Sequence, residues 1–138
     1  MAWKNLKQLS LADSLTSEHE ALTELDGINE LMDWEAIEHL LCDIHAKRRG
    51  NSAWPPVLMF KALLLQSWYS LSDPKLEKLL VRDLLFRRFV GLSLADSVPD
   101  HSSIWRFRQL LEKQGLMASL LAEINRQFLH SCCRNQYY

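Results

Sequence analysis

Ser102, Ser103, Arg106, Arg108 and Gln109 fall within eight consecutive positions. Hydroxyl and guanidinium groups donate to phosphate oxygens, and Arg and Gln side chains reach base edges in a major groove with two hydrogen bonds each. Such a set points to nucleic-acid binding rather than to bond-making. Arg82, Arg87 and Arg88 upstream extend the candidate positive surface, with Lys61 behind them. For Arg106 and Arg108 an ordinary solvated helix face is the competing explanation, and spacing alone leaves it open. Trp105 just before them could stack, wedge or pack against a neighbouring helix; packing is the reading preferred from sequence.

These residues need a helix to hold them, and the run Val98-Pro99-Asp100-His101-Ser102-Ser103-Ile104-Trp105-Arg106-Phe107-Arg108 starts one sharply. Asp100, Ser102 and Ser103 can each cap it, because a side-chain oxygen there accepts from the unpaired first N–H groups. Ile104, Phe107, Leu110 and Leu111 share one face, with Trp105, Arg106, Arg108 and Gln109 largely on the others. The helix is expected to end near Gln114, with Gly115 just past it. A capped helix with an apolar back and two early arginines suits entry into a DNA groove.

The remaining elements follow from similar signals. Asp33 caps a helix from Trp34 to about Lys47, with Ile37, Leu40, Leu41 and Ile44 as its stripe. Lys47-Arg48-Arg49 closes it, where positive charge suits the helix dipole and could also meet phosphate. Gly50–Ala53 is a connector. Pro55 and Pro56 start a helix through Tyr69 that is apolar almost all round, with Lys61 and Gln66 as its wet side. Ser72 or Asp73 with Pro74 starts the next, and Glu77 is placed near capping-box distance. Asp83 starts a short helix that Gly91 stops, with Arg82, Arg87 and Arg88 on its polar surface. Leu92–Val98 is a loop, and a last helix covers about Leu116–Leu129. The expected fold is all-α, a compact multi-helix DNA-binding domain with a helix-turn-helix-like arrangement. Its divisions are an acidic leader at 1–32, with a short helix near Ser17–Leu25, a helical domain at 33–129 and an irregular tail at 130–138.

The 138 residues suit one domain, and a fold of that size buries roughly 68–70% of its unfolded surface. A net charge of −1 hides a division. Residues 1–46 hold two basic and ten acidic residues, a balance of −8; residues 47–138 hold fourteen and seven, a balance of +7. An acidic leader before a basic body favours a nucleic-acid partner over chance clustering. There is no phosphate loop, paired Cys-x-x-Cys, zinc-protease motif or nucleophile elbow. No acidic triplet is framed by strands, so no catalytic residue and no metal ligand is assigned. His39, Cys42 and His45 step by three and diverge around a helix, and His130, Cys132 and Cys133 lack a fourth partner. The three cysteines are expected to be reduced thiols. No run is long enough to span a bilayer and no signal peptide opens the chain, so no membrane partner is expected and the location expected is cytoplasmic, at the nucleoid.

Pro55–Asp73 resembles the amino-terminal domain of DDE transposases of the insertion-sequence-five family. The likeness continues through Leu76-Glu77, Asp83, Phe86-Arg87, Phe89 and Gly91-Leu92 into Val98–Arg108, and covers about Trp34–Leu129. The resemblance implies a helical domain that binds double-stranded DNA at the terminal inverted repeats of a bacterial mobile element. It also implies a following ribonuclease-H-like domain whose three carboxylates hold divalent metal. That pattern is not matched after Leu129, so a truncated chain without catalytic activity or cofactor of its own is expected. One half of a split transposase acting in trans with a catalytic subunit, and a self-associating or inhibitory regulator of transposition, stay open as alternatives.

Overall fold

Prolines, cap residues and two glycines cut this chain into helices, because each acts within one turn of itself. The computed structural model describes residues 19–45 and 54–135, and every regular element there is α-helical. In chain order these are α1 (Glu20–Thr23), α2 (Asp26–Leu31), α3 (Trp34–His45), α4 (Pro56–Tyr69), α5 (Asp73–Arg82), α6 (Leu84–Val90), α7 (His101–Lys113) and α8 (Leu116–Asn135). Lys47–Arg49, the 50–53 connector, the Ile44 side chain and residues 1–18 lie outside the described residues.

The start signals work as chemistry requires. Asp33 Oδ1 accepts from the Ala36 N–H at 3.3 Å, Ser72 Oγ from Lys75 at 3.3 Å, and Asp83 Oδ1 from Leu85 at 2.9 Å. Pro56 and Pro74 sit in first turns, where a missing N–H leaves no bond unmade. Gly91 ends α6 at φ 91°, a left-handed conformation that a Cβ would strain, and its N–H and that of Leu92 both reach the Arg87 carbonyl at 2.9 Å. Glu77 forms no capping box; its carboxylate reaches across to His101 instead.

α4 is the centre. Its apolar residues lie on every side, and α3, α5, α6 and α7 all pack against it. Phe60, Ala62 and Leu65 are sealed from solvent. The side expected to be wet is not. Lys61 lies half-buried with its ammonium 4.5 Å from the Trp34 ring and 5.6 Å from Phe89, and burial pushes its pKa down. Gln66 is hydrogen-bonded to α5 and α7. The neighbours that cover them come from distant segments that periodicity does not reveal. Trp68 and Tyr69 form the rim, with their rings tilted against Phe89 and Phe86.

Two boundaries need correction. Leu25 and Met32 are buried in the core, so the later part of the leader is packed onto the helical domain. Among the described residues the helix expected near Ser17–Leu25 is the short α1, and α2 follows it as an element not expected from the sequence. At the other end α8 continues through Asn135, past the expected stop at Leu129. No glycine or proline follows Leu129, and each further residue of a formed helix adds a bond without renewed nucleation. α8 is anchored by Leu120, Ile124 and the buried Gln127, whose carboxamide accepts from the Asp33 N–H at 2.8 Å and donates to the Asp33 carbonyl at 3.3 Å.

Candidate nucleic-acid interface

α7 is built in two halves that face opposite ways. Ile104, Phe107 and Leu111 are buried against α4, α5 and α8, which fixes the rotation of the helix. Its cap is Asp100, whose Oδ1 accepts from the Ser103 N–H at 2.8 Å. Hydrogen bonds from Ser103 hold the Asp100 carboxyl below its usual range, with Arg106 and His101 adding to the effect. Trp105, Arg106 and Gln109 are exposed, and Ser102 and Ser103 are half-buried at the helix start. The packing expected for Trp105 is not found: the side chain is 52% exposed.

Arg108 faces another way. Its Nη1 donates to Gln66 Oε1 and Asp73 Oδ1, both at 2.8 Å, and its Nη2 donates to Asp73 Oδ2 at 2.7 Å. Gln66 Nε2 donates to the same carboxylate. A fork of this kind fixes both partners in direction as well as distance. One turn and more away, His101 Nδ1 lies 3.3 Å from Glu77 Oε2. Residues 73 and 77 therefore meet 108 and 101 in reverse order, so α5 and α7 run antiparallel, and Arg82 lies toward the start of α7.

The three upstream arginines have different fates. Arg82 is exposed. Arg87, expected on the polar surface, is only 7% exposed. Its Nε donates to the Val81 carbonyl at 3.1 Å, and its Nη1 to the carbonyls of Ser93 at 2.6 Å and Asp96 at 3.2 Å. The loop between α6 and α7 folds back over this guanidinium, which serves the Asp96 carbonyl and adds a second donor to the Ser93 carbonyl, already accepting from the Asp96 N–H at 3.1 Å. Arg88 is held by Asp26 of α2 in a two-bond contact at 2.7–2.8 Å, and the arginine keeps that carboxyl below its ordinary range. The structure leaves Arg106 and Gln109 exposed on α7 beside the half-buried Ser102 and Ser103, places the exposed Arg82 at the far end of α5 from Asp73, and turns Arg87 and Arg108 inward. No local signal marks Asp73 and Gln66 as Arg108's partners, 35 and 42 positions away.

The Asp73–Arg108 clamp sets the spacing of α5 and α7, and its side chains are 19% and 25% exposed. Asp73→Ala is expected to lose about 2 kcal/mol in urea unfolding, between surface and buried ion pairs, because Arg108 is then left partly covered without its anion. The Arg108 hydrogen bond holds the Asp73 carboxyl down, helped by Gln66 and opposed by burial. A depressed folded value stabilises above the unfolded value of about 3.9 and is lost as pH falls through the depressed one. The stability of Asp73→Asn should accordingly fall less between pH 4 and pH 2 than that of the native chain; equal slopes would remove the clamp's contribution.

Among the described residues no group of three or more His, Cys, Asp or Glu side chains is placed to hold a metal ion, and no helix is long and apolar enough to cross a membrane. The sequence model of a family described as Transposase domain (DUF772) matches residues 9–110. No solved structure matches the chain.

Proposed function

Because the chain belongs to this transposase-domain family, we propose that its part in transposition is to bind the terminal inverted repeats of an insertion sequence through the outer face of α7. The observation that carries this reading is the division of α7: Ile104, Phe107 and Leu111 lock it into the core while Arg106 and Gln109 stand in solvent beside the half-buried hydroxyls of Ser102 and Ser103. Arg106 offers a guanidinium fork for guanine or phosphate, and Gln109 a carboxamide for adenine. Ser102, Ser103 and the exposed Arg82 supply donors for the sugar-phosphate backbone, which set register without reading sequence.

The approach to α7 differs from a short helix-turn-helix. Residues 91–100 form a ten-residue connection from α6, whereas residues 70–72 make a three-residue turn between α4 and α5. In the proposed arrangement α5 takes the place of the supporting helix and α7 reads the groove, with the Arg108 clamp holding the pair. Arg87 and Arg108 support the reader from behind.

Anisotropy titrations against a terminal-repeat duplex and a scrambled one, at two salt concentrations, test this. Arg106→Ala is expected to cost about 1–3 kcal/mol and relax preference at one base pair if it reads a base, or to lower the salt slope by about one if it meets a phosphate. Equal, salt-independent affinity of the native chain for both duplexes overturns the reading.

A further inference from the structure

An exposed tryptophan is unusual where the fold has aromatic neighbours to offer. Trp34 and Trp68 each pack on Phe89, edge-on and tilted, and Tyr69 packs tilted on Phe86, while among the described residues no ring packs on Trp105. Indole offers one of the largest apolar faces of any side chain, and leaving it in water forfeits that burial. Its position is fixed on both sides. His101, Trp105 and Arg108 form one stripe of α7 at spacings of four and three, so Trp105 stands between the His101–Glu77 contact and the Arg108–Asp73 clamp. The walls of the space beside it are therefore held apart by two cross-links rather than free to collapse onto the ring.

That space is an open groove of about 380 Å³, lined by Asp73, Pro74, His101, Ser102, Trp105 and Arg106. Pro74 supplies an apolar wall from α5, and Trp105 a flat face from α7. The charges select the ligand. Asp73 lines the groove, with Glu77 bound to its neighbour His101 and Asp100 at the start of the same helix. Asp73 is already paired with Arg108 and Glu77 is in contact with His101, so these groups offset one another and the Pro74 and Trp105 faces of the groove suit an uncharged aromatic ring. Arg106 and Ser102 at its edge then have donors for the phosphate that flanks such a ring.

We infer that the groove between α5 and α7 receives a single unpaired nucleobase stacked on the Trp105 indole. The inference rests on the DNA-binding reading above and specifies the form of DNA that this face takes. Stacking on an aromatic side chain tolerates any base, so it adds affinity for locally opened DNA without adding sequence preference.

The test uses the full chain and three anisotropy probes: the perfect terminal-repeat duplex, the same duplex with a one-base bulge, and that bulge carrying 2-aminopurine, whose emission falls when it stacks. The bulged duplex is expected to bind about tenfold more tightly than the perfect one, with the 2-aminopurine emission quenched in the complex. Trp105→Ala should abolish that advantage and restore the emission. Trp105→Phe, which keeps a stacking face, should retain part of both. Far-ultraviolet circular dichroism of each variant confirms that the helices remain. Equal affinity for bulged and perfect duplexes with unquenched emission overturns this inference while leaving the DNA-binding reading standing. Absence of binding to every probe overturns both.

Discussion

Phe89→Ala is expected to destabilise the chain by about 3–5 kcal/mol in urea unfolding, in line with phenylalanine truncations in packed cores. Phe89 is 1% exposed. It is the shared face of an aromatic group: Trp34 meets it edge-on at 6.1 Å and Trp68 lies tilted at 5.7 Å. The Lys61 ammonium hangs over Phe89 and Trp34 together, half-buried and, among the described residues, without a carboxylate partner. Truncation therefore leaves more than a cavity. It removes one of the two rings that compensate a desolvated cation, and unties α3, α4 and α6 at the point where they meet. Since domains of this size hold about 5–15 kcal/mol in total, the variant should stand near its folding limit at 25 °C. Phe89→Leu, which refills much of the volume without a ring face, should recover part of the loss. If Phe89→Ala unfolds within about 1 kcal/mol of the native chain, the aromatic group is not a keystone of the core.

The helix starts and stops were legible because caps act locally. Asp33, Pro56, Ser72, Asp83, Gly91 and Asp100 each bound an element where their chemistry requires it, and the apolar stripe of α7 identified its buried face correctly. The all-α class and the transposase kinship follow from the same elements and their order. What depends on distant partners was not legible. Arg87 and Arg88 are adjacent in sequence and look alike there, but one is buried under loop carbonyls and the other is paired with Asp26, 62 positions away. Periodicity assigns a side chain to a face; it does not say what arrives on that face. Trp105 shows the converse, an aromatic residue off the core stripe that stays exposed. The end of α8 escaped for a different reason. Apolar periodicity marks where a helix is buried, whereas the helix itself persists until something breaks it.

Arg87→Ala should cost about 2–3 kcal/mol of stability and, if α7 binds DNA as proposed, weaken that binding without any loss of a DNA contact. The stability term follows from the three carbonyls of Val81, Ser93 and Asp96 that this guanidinium serves. An acceptor left without a donor costs about 1–3 kcal/mol where it is buried; here the Ser93 carbonyl keeps the Asp96 N–H and these exposed residues can meet water, which offsets part of that cost. Arg87→Lys keeps the charge but has no planar fork to span carbonyls on two sides, so it should recover little. The functional term follows from where the loop leads. Residues 91–100 deliver Asp100, the cap of α7, and Pro99 just before it is fully buried. With the loop unfastened at Ser93 and Asp96, the first turn of α7 loses its fixed approach, and Ser102 and Arg106 lose their common geometry. Arg87 and Arg106 are then separable by salt. A residue that touches phosphate carries one released counterion, so Arg106→Ala at a phosphate lowers the slope of log affinity against log salt by about one. A residue that only positions the reader lowers affinity and leaves the slope alone. Arg87→Ala should therefore shift the whole binding line downward in parallel with the native one, with faster proteolysis within 92–98. A reduced slope for Arg87→Ala would place its guanidinium on DNA and overturn its assignment as the staple behind α7.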